Sequence, residues 1–142
     1  MGTGVRERWG GLPLWARGVL AVYVTGFLEG ACAHLLDLTR GGMHAYTAFP
    51  QVPLQVFFVG LAVLDPLTAV LLGLLRREGL WLAGCVMVLD VGANWFANRH
   101  WLRDDPAKLW PLLPLTLFGL FVVASLPLSL RVLTGRVVSR SR

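Results

Sequence analysis

Glu29, His34 and Asp37 interrupt an otherwise apolar run, Phe27 to Asp37 (FLEGACAHLLD), and single acids, Asp65 and Asp90, interrupt the two apolar runs that follow. An ionisable side chain at hydrocarbon depth costs about 3 kcal/mol on insertion scales, so such residues are kept for a reason. Carboxylates gathered in a low dielectric cannot all stay ionised, because desolvation and mutual repulsion both favour the protonated form. At least one is then a carboxylic acid at neutral pH, the form a general acid needs. The chemistry these residues point to is proton transfer or cation binding. The competing use is structural, with protonated acids hydrogen-bonding to Asn, Thr and Tyr to hold helices together.

The elements that must position these groups follow from composition. The chain has 142 residues, of which 56% are hydrophobic, with mean hydropathy +0.64. The apolar surplus lies in four blocks, each long enough to approach or cross a hydrocarbon layer of roughly 30 Å. The fold class expected is all-α integral membrane, one four-transmembrane-helix bundle over 1–142, with helices at about 13–38, 53–75, 80–98 and 109–133. The formal net charge of +5 sits at the ends and in one loop, which suits anionic headgroups. No basic stripe interleaves with aromatics, so nucleic acid is not an expected partner. Cys32 and Cys85 stand alone in apolar runs, which excludes a C-x-x-C thiol relay and reads as two small buried residues.

Residues 1–12 form a polar, Gly-rich lead-in, amphipathic or disordered, that carries Trp9. An Ala31-Cys32-Ala33 triplet imitates a signal cleavage site. Glu29 interrupts the approach to it and the apolar stretch continues to Leu36, so this is read as an uncleaved first span. Gly26-x-x-x-Gly30 would let a neighbouring helix approach closely, within the bundle or across a homodimer. The loop from Thr39 to Val52 holds His44 and Tyr46, as a lid or as exposed loop residues. Asp65 is followed by Pro66, which removes a backbone hydrogen bond and kinks the second span. Arg76 to Gly79 reads as a tight loop. Asp90, Asn94 and Asn98 recur every fourth residue, one polar stripe that must face the bundle. Pro111, Pro114 and Pro127 mark the last span as a wall.

Arginines outnumber lysines twelve to one, which fits a high-GC bacterial genome. Arg6, Arg8, Arg17, Arg76, Arg77, Arg131, Arg136, Arg140 and Arg142 lie on one side, against Arg40, Arg99, Arg103 and Lys108 on the other. The excess puts both termini in the cytoplasm, as an even number of spans requires. Counting depth along each helix at about 1.5 Å per residue, Glu29, Asp65 and Asp90 share a level near the midplane. His34, Asp37, Gln55, Asn94 and Asn98 share a level nearer the far side. The result is a polar funnel closing on three carboxylates. Glu29 and Asp37, about 80° apart on their helix, would share its interior with His34 at the edge. Glu29, Asp65 and Asp90 are therefore the expected catalytic acids and bases. Substrate-binding roles are expected for His34, Asp37, Tyr23, Gln55, Asn94, Trp95 and Asn98, and Trp81, Trp95 and Phe96 could wall a cation. The Glu-x-x-His pair of di-iron bundles is absent. No metal or cofactor is expected, a four-residue site from Glu29, His34, Asp65 and Asp90 being the minor alternative.

With His34 beside Asp37 or Glu29 in the first span, and Asp65-Pro66 in the second, the chain resembles the EXPERA group of sterol Δ8–Δ7 isomerases and sigma-2 receptors. The resemblance spans residues 20–130 in pattern. It implies a pocket for a lipophilic amine or sterol-like molecule and, as in the isomerases, carboxylates that shuttle a proton and stabilise a carbocation. The function expected is a small enzyme of the bacterial cytoplasmic membrane, isomerase- or cyclase-like, working by protonation and deprotonation of an isoprenoid or polycyclic lipid. Membrane lipid is its other partner. The alternatives are a membrane receptor or transporter for a lipophilic or cationic ligand, and a structural subunit.

Overall fold

An apolar run with no water beside it must satisfy its backbone polar groups internally, and helix does so within one segment. The computed structural model describes the backbone of residues 2–140 and the side chains of residues 4–42 and 44–135. Its helices are α1 (Gly2–Gly10), α2 (Leu14–Gly41), α3 (Val52–Gly73), α4 (Arg77–Ala97), α5 (Trp101–Asp104) and α6 (Leu112–Arg140), with 3₁₀ turns at Gly42–His44 and Pro106–Leu109. Four segments, Leu14–Gly41, Val52–Gly73, Arg77–Ala97 and Leu112–Gly135, are long and apolar enough to cross a membrane. They alternate in direction. One end of the bundle carries α1 and the last turns of α6, and the other carries the 42–51 loop and α5. The topology reading also used Arg136, Arg140 and Arg142, whose side chains lie outside the described residues.

α2 packs along α3, α3 along α4 and α4 along α6, while α2 and α6 touch more sparingly. The core is a narrow column of Tyr23, Phe27, Leu61, Leu72, Leu80, Ala83 and Val122. Much of the outer surface is equally apolar, with Val56, Val63, Val88, Leu117 and Leu120 all more than 60% exposed or close to it. A contiguous apolar exterior of this kind marks a surface built to meet lipid or another apolar partner. Both cysteines lie on that exterior. The expectation of buried thiols fails because, among the described residues, Cys32 shares its helix face with exposed Leu28, Leu35 and Leu36.

The ends of the helices show how the chain turns. Residues 74–76 are the whole α3–α4 connection, shorter than the loop expected at 76–79. Leu75 adopts a left-handed backbone, φ 55°. Its N–H bonds to the Leu72 carbonyl at 2.9 Å, and that of Arg76 to the Leu71 carbonyl at 3.0 Å. This is the Schellman arrangement, normally closed by glycine. A leucine bears the strain here because its side chain is 5% exposed in the core. The lead-in is helical and docks on this corner: Trp9 Nε1 donates to the Gly73 carbonyl at 2.8 Å and Arg8 Nη2 to that of Leu75 at 3.2 Å. The Gly73 carbonyl is one that the helix end leaves open, and that of Leu75 belongs to the turn that follows.

Gly79 sits where α4 first meets α3. A Cβ there would lie 2.8 Å from the Leu72 backbone nitrogen and 2.9 Å from the Leu71 carbonyl carbon. Backbone cannot yield as a side-chain tip does. Gly79→Ala is expected to lower stability by about 1–3 kcal/mol, the usual range for overpacking, read as a fall in thermal unfolding temperature in detergent.

Candidate functional site

The second apolar run places Asp65 on the face of α3 that meets α2, and it is 4% exposed. α2 makes room with Gly30, since a Cβ at that position would stand 2.6 Å from Asp65 Oδ2. One residue along, Pro66 has no N–H to give the Ala62 carbonyl. The Thr68 hydroxyl then bonds back to the Leu64 carbonyl at 2.7 Å. His34, one turn beyond Gly30, brings Nε2 to 3.8 Å from Asp65 Oδ2. Asp90 on α4 is 8% exposed and within electrostatic reach of Asp65. At the junction of α2, α3 and α4, Asp65 thus meets an imidazole from α2 and lies within electrostatic reach of a second buried acid from α4.

His34 is held from its other side. Its Nδ1 lies 2.8 Å from the Tyr46 hydroxyl, which donates to Asp37 Oδ2 at 3.1 Å. Tyr46 belongs to the 42–51 loop but is 8% exposed, its ring stacked 5.4 Å from that of Phe58, which also receives Phe49 at 5.2 Å. Gln55 Nε2 fixes this loop to α3 by donating to the Phe49 carbonyl at 2.6 Å. Burial first, then the bond to Asp37 and the charges of Asp37, Asp90 and Asp65, push the Tyr46 hydroxyl well above the ordinary tyrosine range. It therefore keeps its proton at physiological pH. On α4, Asn94 Nδ2 donates to Asp90 Oδ1 at 2.8 Å, and Asn98 Nδ2 to the Asn94 carbonyl at 2.9 Å. The expected stripe is a hydrogen-bonded ladder.

Beside this cluster runs a cleft of about 770 Å³ along the α2–α6 seam. Its walls are Thr25, Gly26, Gly30 and Ala33 on α2 and Pro111, Pro114, Leu115 and Phe118 on α6, with Glu29 on the lip and His34, Asp90 and Asn94 on the floor. It opens sideways, onto the apolar exterior, where an axial funnel was expected. The seam is pinned below it. The Tyr23 hydroxyl donates to the Val122 carbonyl at 2.7 Å and pairs with Ser125 Oγ at 2.9 Å. Phe27 meets Phe118 edge-on at 5.7 Å. The ring of Phe118 lies where a side chain at Gly26 would be. The Gly26/Gly30 pair is thus filled from within the chain, by α6 and α3.

The expected site residues separate into groups. His34, Asp65, Asp90 and Asn94 come together at the junction, and Glu29 joins His34, Asp90 and Asn94 in the cleft. Glu29 and Asp37 do not share the interior, since both are exposed, and His34 takes the inner place expected of Asp37. Asp65 lies behind the cleft and is not among its lining residues. Tyr23 and Gln55 are occupied by the structural bonds above, and Trp95 Nε1 by Thr116 Oγ1 at 2.9 Å. Asn98 faces a second cavity of about 1060 Å³, between residues 48–51 and 97–104 at the end of the bundle. Trp81 is 60% exposed and Phe96 lies under Arg99, so neither walls the cleft. Phe118 does. Tyr46 was undervalued as a loop residue, though the aromatic pair Tyr46 and Phe49, facing Phe57 and Phe58 across a short loop, carries the signal for its burial. Among the described residues, no three His, Cys, Asp or Glu side chains converge to hold a metal ion.

Compared with family models, characterised proteins and solved structures, the chain matches none. The function therefore rests on the geometry. Because Tyr23 pins the seam and does not line the cleft, Tyr23→Phe is expected to lower stability by about 1 kcal/mol, the net worth of a typical hydrogen bond. Thermal unfolding in detergent measures this, and ligand retention should be unchanged.

Proposed function

We propose that the chain is a four-span protein of a bacterial cytoplasmic membrane, both termini cytoplasmic, that performs acid/base chemistry on a lipophilic molecule entering its α2–α6 cleft from the bilayer. The observation that carries this is the lateral mouth. An apolar-walled cleft of ligand size opens where lipid would lie and ends on a buried carboxylate, Asp90. A mostly apolar pocket with a few convergent polar groups is the usual form of a small-molecule site. Asp90 and Glu29 are the acid/base groups that meet the substrate, Asn94 orients Asp90, and Asp65 acts from behind through His34. The likeness to the EXPERA group, carried by His34 with Asp37 or Glu29 in the first span and Asp65-Pro66 in the second, points to the same reading.

One further observation favours a cationic ligand or a cationic transition state. Glu29 and Asp90 are the carboxyl groups of the cleft lining, and neither Lys nor Arg is among its lining residues. A receptor for a lipophilic amine would use this arrangement as well as an enzyme passing through a carbocation. Chemical change in the ligand separates the two.

Native mass spectrometry of protein extracted gently from its own membranes is the test. A retained non-phospholipid small molecule is expected, and Asp90→Asn or Glu29→Gln should lose it. Asp65→Asn should retain the molecule but abolish its conversion. A retained molecule that is never converted points to a receptor, and a bare protein points to a structural subunit. For topology, a fluorescent protein fused after the last residue should be bright, and alkaline phosphatase fused within the 42–51 loop should be active. The reverse pattern overturns the orientation.

A further inference from the structure

Asp37, Tyr46 and His34 form a hydrogen-bonded chain from the exposed surface at the 42–51 loop, and its inner end faces the Asp65 carboxyl group inside the bundle across 3.8 Å. We propose that this chain is a proton relay that exchanges the Asp65 proton with water at the loop end, by a route separate from the cleft that admits the ligand. It deepens the acid/base reading above and rests on it.

The direction of each bond can be worked out from the atoms. A tyrosine hydroxyl has one proton, and that of Tyr46 is given to Asp37 Oδ2 at 3.1 Å. The contact of 2.8 Å between Tyr46 and His34 Nδ1 must then be made by an Nδ1–H donating to the Tyr46 oxygen. A neutral imidazole protonated at Nδ1 presents a bare lone pair at Nε2, and Nε2 is the atom facing Asp65 Oδ2 at 3.8 Å. That separation is longer than a hydrogen bond, so the link closes when either side chain turns toward the other.

The resting chain is thus set for outward movement. In one stroke the Asp65 O–H proton passes to His34 Nε2, the Nδ1 proton passes to the Tyr46 oxygen, the former Tyr46 proton passes to Asp37, and Asp37 releases it to water. Asp65 is left as a carboxylate and His34 as the Nε2–H tautomer, with the Tyr46 hydrogen now directed at Nδ1. The relay is then set for the reverse stroke, in which water protonates Asp37 and Asp65 recovers its proton. One proton out must be followed by one proton in, unless the imidazole resets. This alternation suits a turnover that protonates the substrate once and deprotonates it once.

The groups that face the relay are His34 and Asp37 from α2, Tyr46 from the loop, Asp65 from α3 and Asp90 from α4. Among the described residues α6 contributes no titratable group to it. Asp37 is exposed whereas Asp65 is 4% exposed and outside the cleft lining, so the relay links water to an acid that the cleft does not reach.

The test needs no ligand. Infrared spectroscopy of the purified protein in detergent should show a protonated-carboxyl C=O band that disappears in Asp65→Asn. On dilution into D₂O the band shifts, and the rate of that shift reads proton exchange at Asp65. Tyr46→Phe keeps the ring stacked on Phe58 but breaks the chain, and should slow the shift by about a hundredfold or more, the range ascribed to positioned proton transfer. Asp37→Asn, at an exposed position, should slow it likewise and serves alone if Tyr46→Phe does not fold. Trp95→Phe, whose indole bonds to Thr116, should leave the rate unchanged. An equal rate in wild type and Tyr46→Phe, or in wild type and Asp37→Asn, overturns the relay. So does a wild-type spectrum with no Asp65 band from mildly acid to mildly alkaline pH. Slowed exchange in a protein that retains no small molecule would instead overturn the proposed function and leave the relay standing.

Discussion

A carboxyl group buried between apolar helices is the constraint on which the other features of this molecule depend. Asp65 cannot be solvated where it sits, so its neighbours must supply both room and a proton partner. Gly30 supplies the room, since any side chain there would strike Asp65 Oδ2. His34 supplies the partner and in turn needs one of its own, which the chain provides by folding the 42–51 loop inward until Tyr46 reaches Nδ1. The inward loop is then held by the aromatic stack on Phe58 and by Gln55. A single buried acid thus dictates the register of α2 against α3, the identity of a glycine and the path of a loop.

The α2–α6 seam follows a different logic. Four helices in series can close into a ring only if the first and last are brought together, and here they are joined over part of their length. Tyr23 joins them by hydrogen bonds and Phe27 with Phe118 by ring contact. Beyond that point the small residues of α2 and the prolines at the start of α6 leave a gap. Sequence position therefore separates the two accesses to the acidic junction: a lateral one through the seam, apolar and wide, and a loop-end one through Tyr46, polar and one side chain across. Under the proposed function, keeping those two routes apart would let a lipophilic molecule and a proton reach neighbouring carboxyl groups separately.

Much of the architecture was legible in the chain itself. Runs of apolar residues near twenty long leave few options besides helix, and the four long helices stand close to where those runs predict them. The polar stripe of Asp90, Asn94 and Asn98 was readable because the spacing of four is a local property of one helix. The roles of Tyr23, Gln55 and Trp95 were not readable. Each is a polar group near an apolar wall, and whether it meets a ligand or a neighbouring backbone depends on a partner distant in sequence. Tyr46 shows the same limit in part: the nearby aromatics Phe49, Phe57 and Phe58 signal its burial, but its bonds to His34 and Asp37 depend on how the loop folds back.

By itself, then, the sequence determined an all-α chain with four helices able to cross a membrane, acidic groups on three of them, and a surplus of basic residues at one end. Those are consequences of composition and of the 3.6-residue period, which act within single segments. Tertiary structure alone decided which acids are shielded and which lie on the lip of a cleft. It also placed His34 inside and Asp37 outside, and turned an expected funnel into a side opening. The rotation of each helix about its own axis is set by close packing at Gly26, Gly30 and Gly79, and a contact of that kind depends on two segments at once.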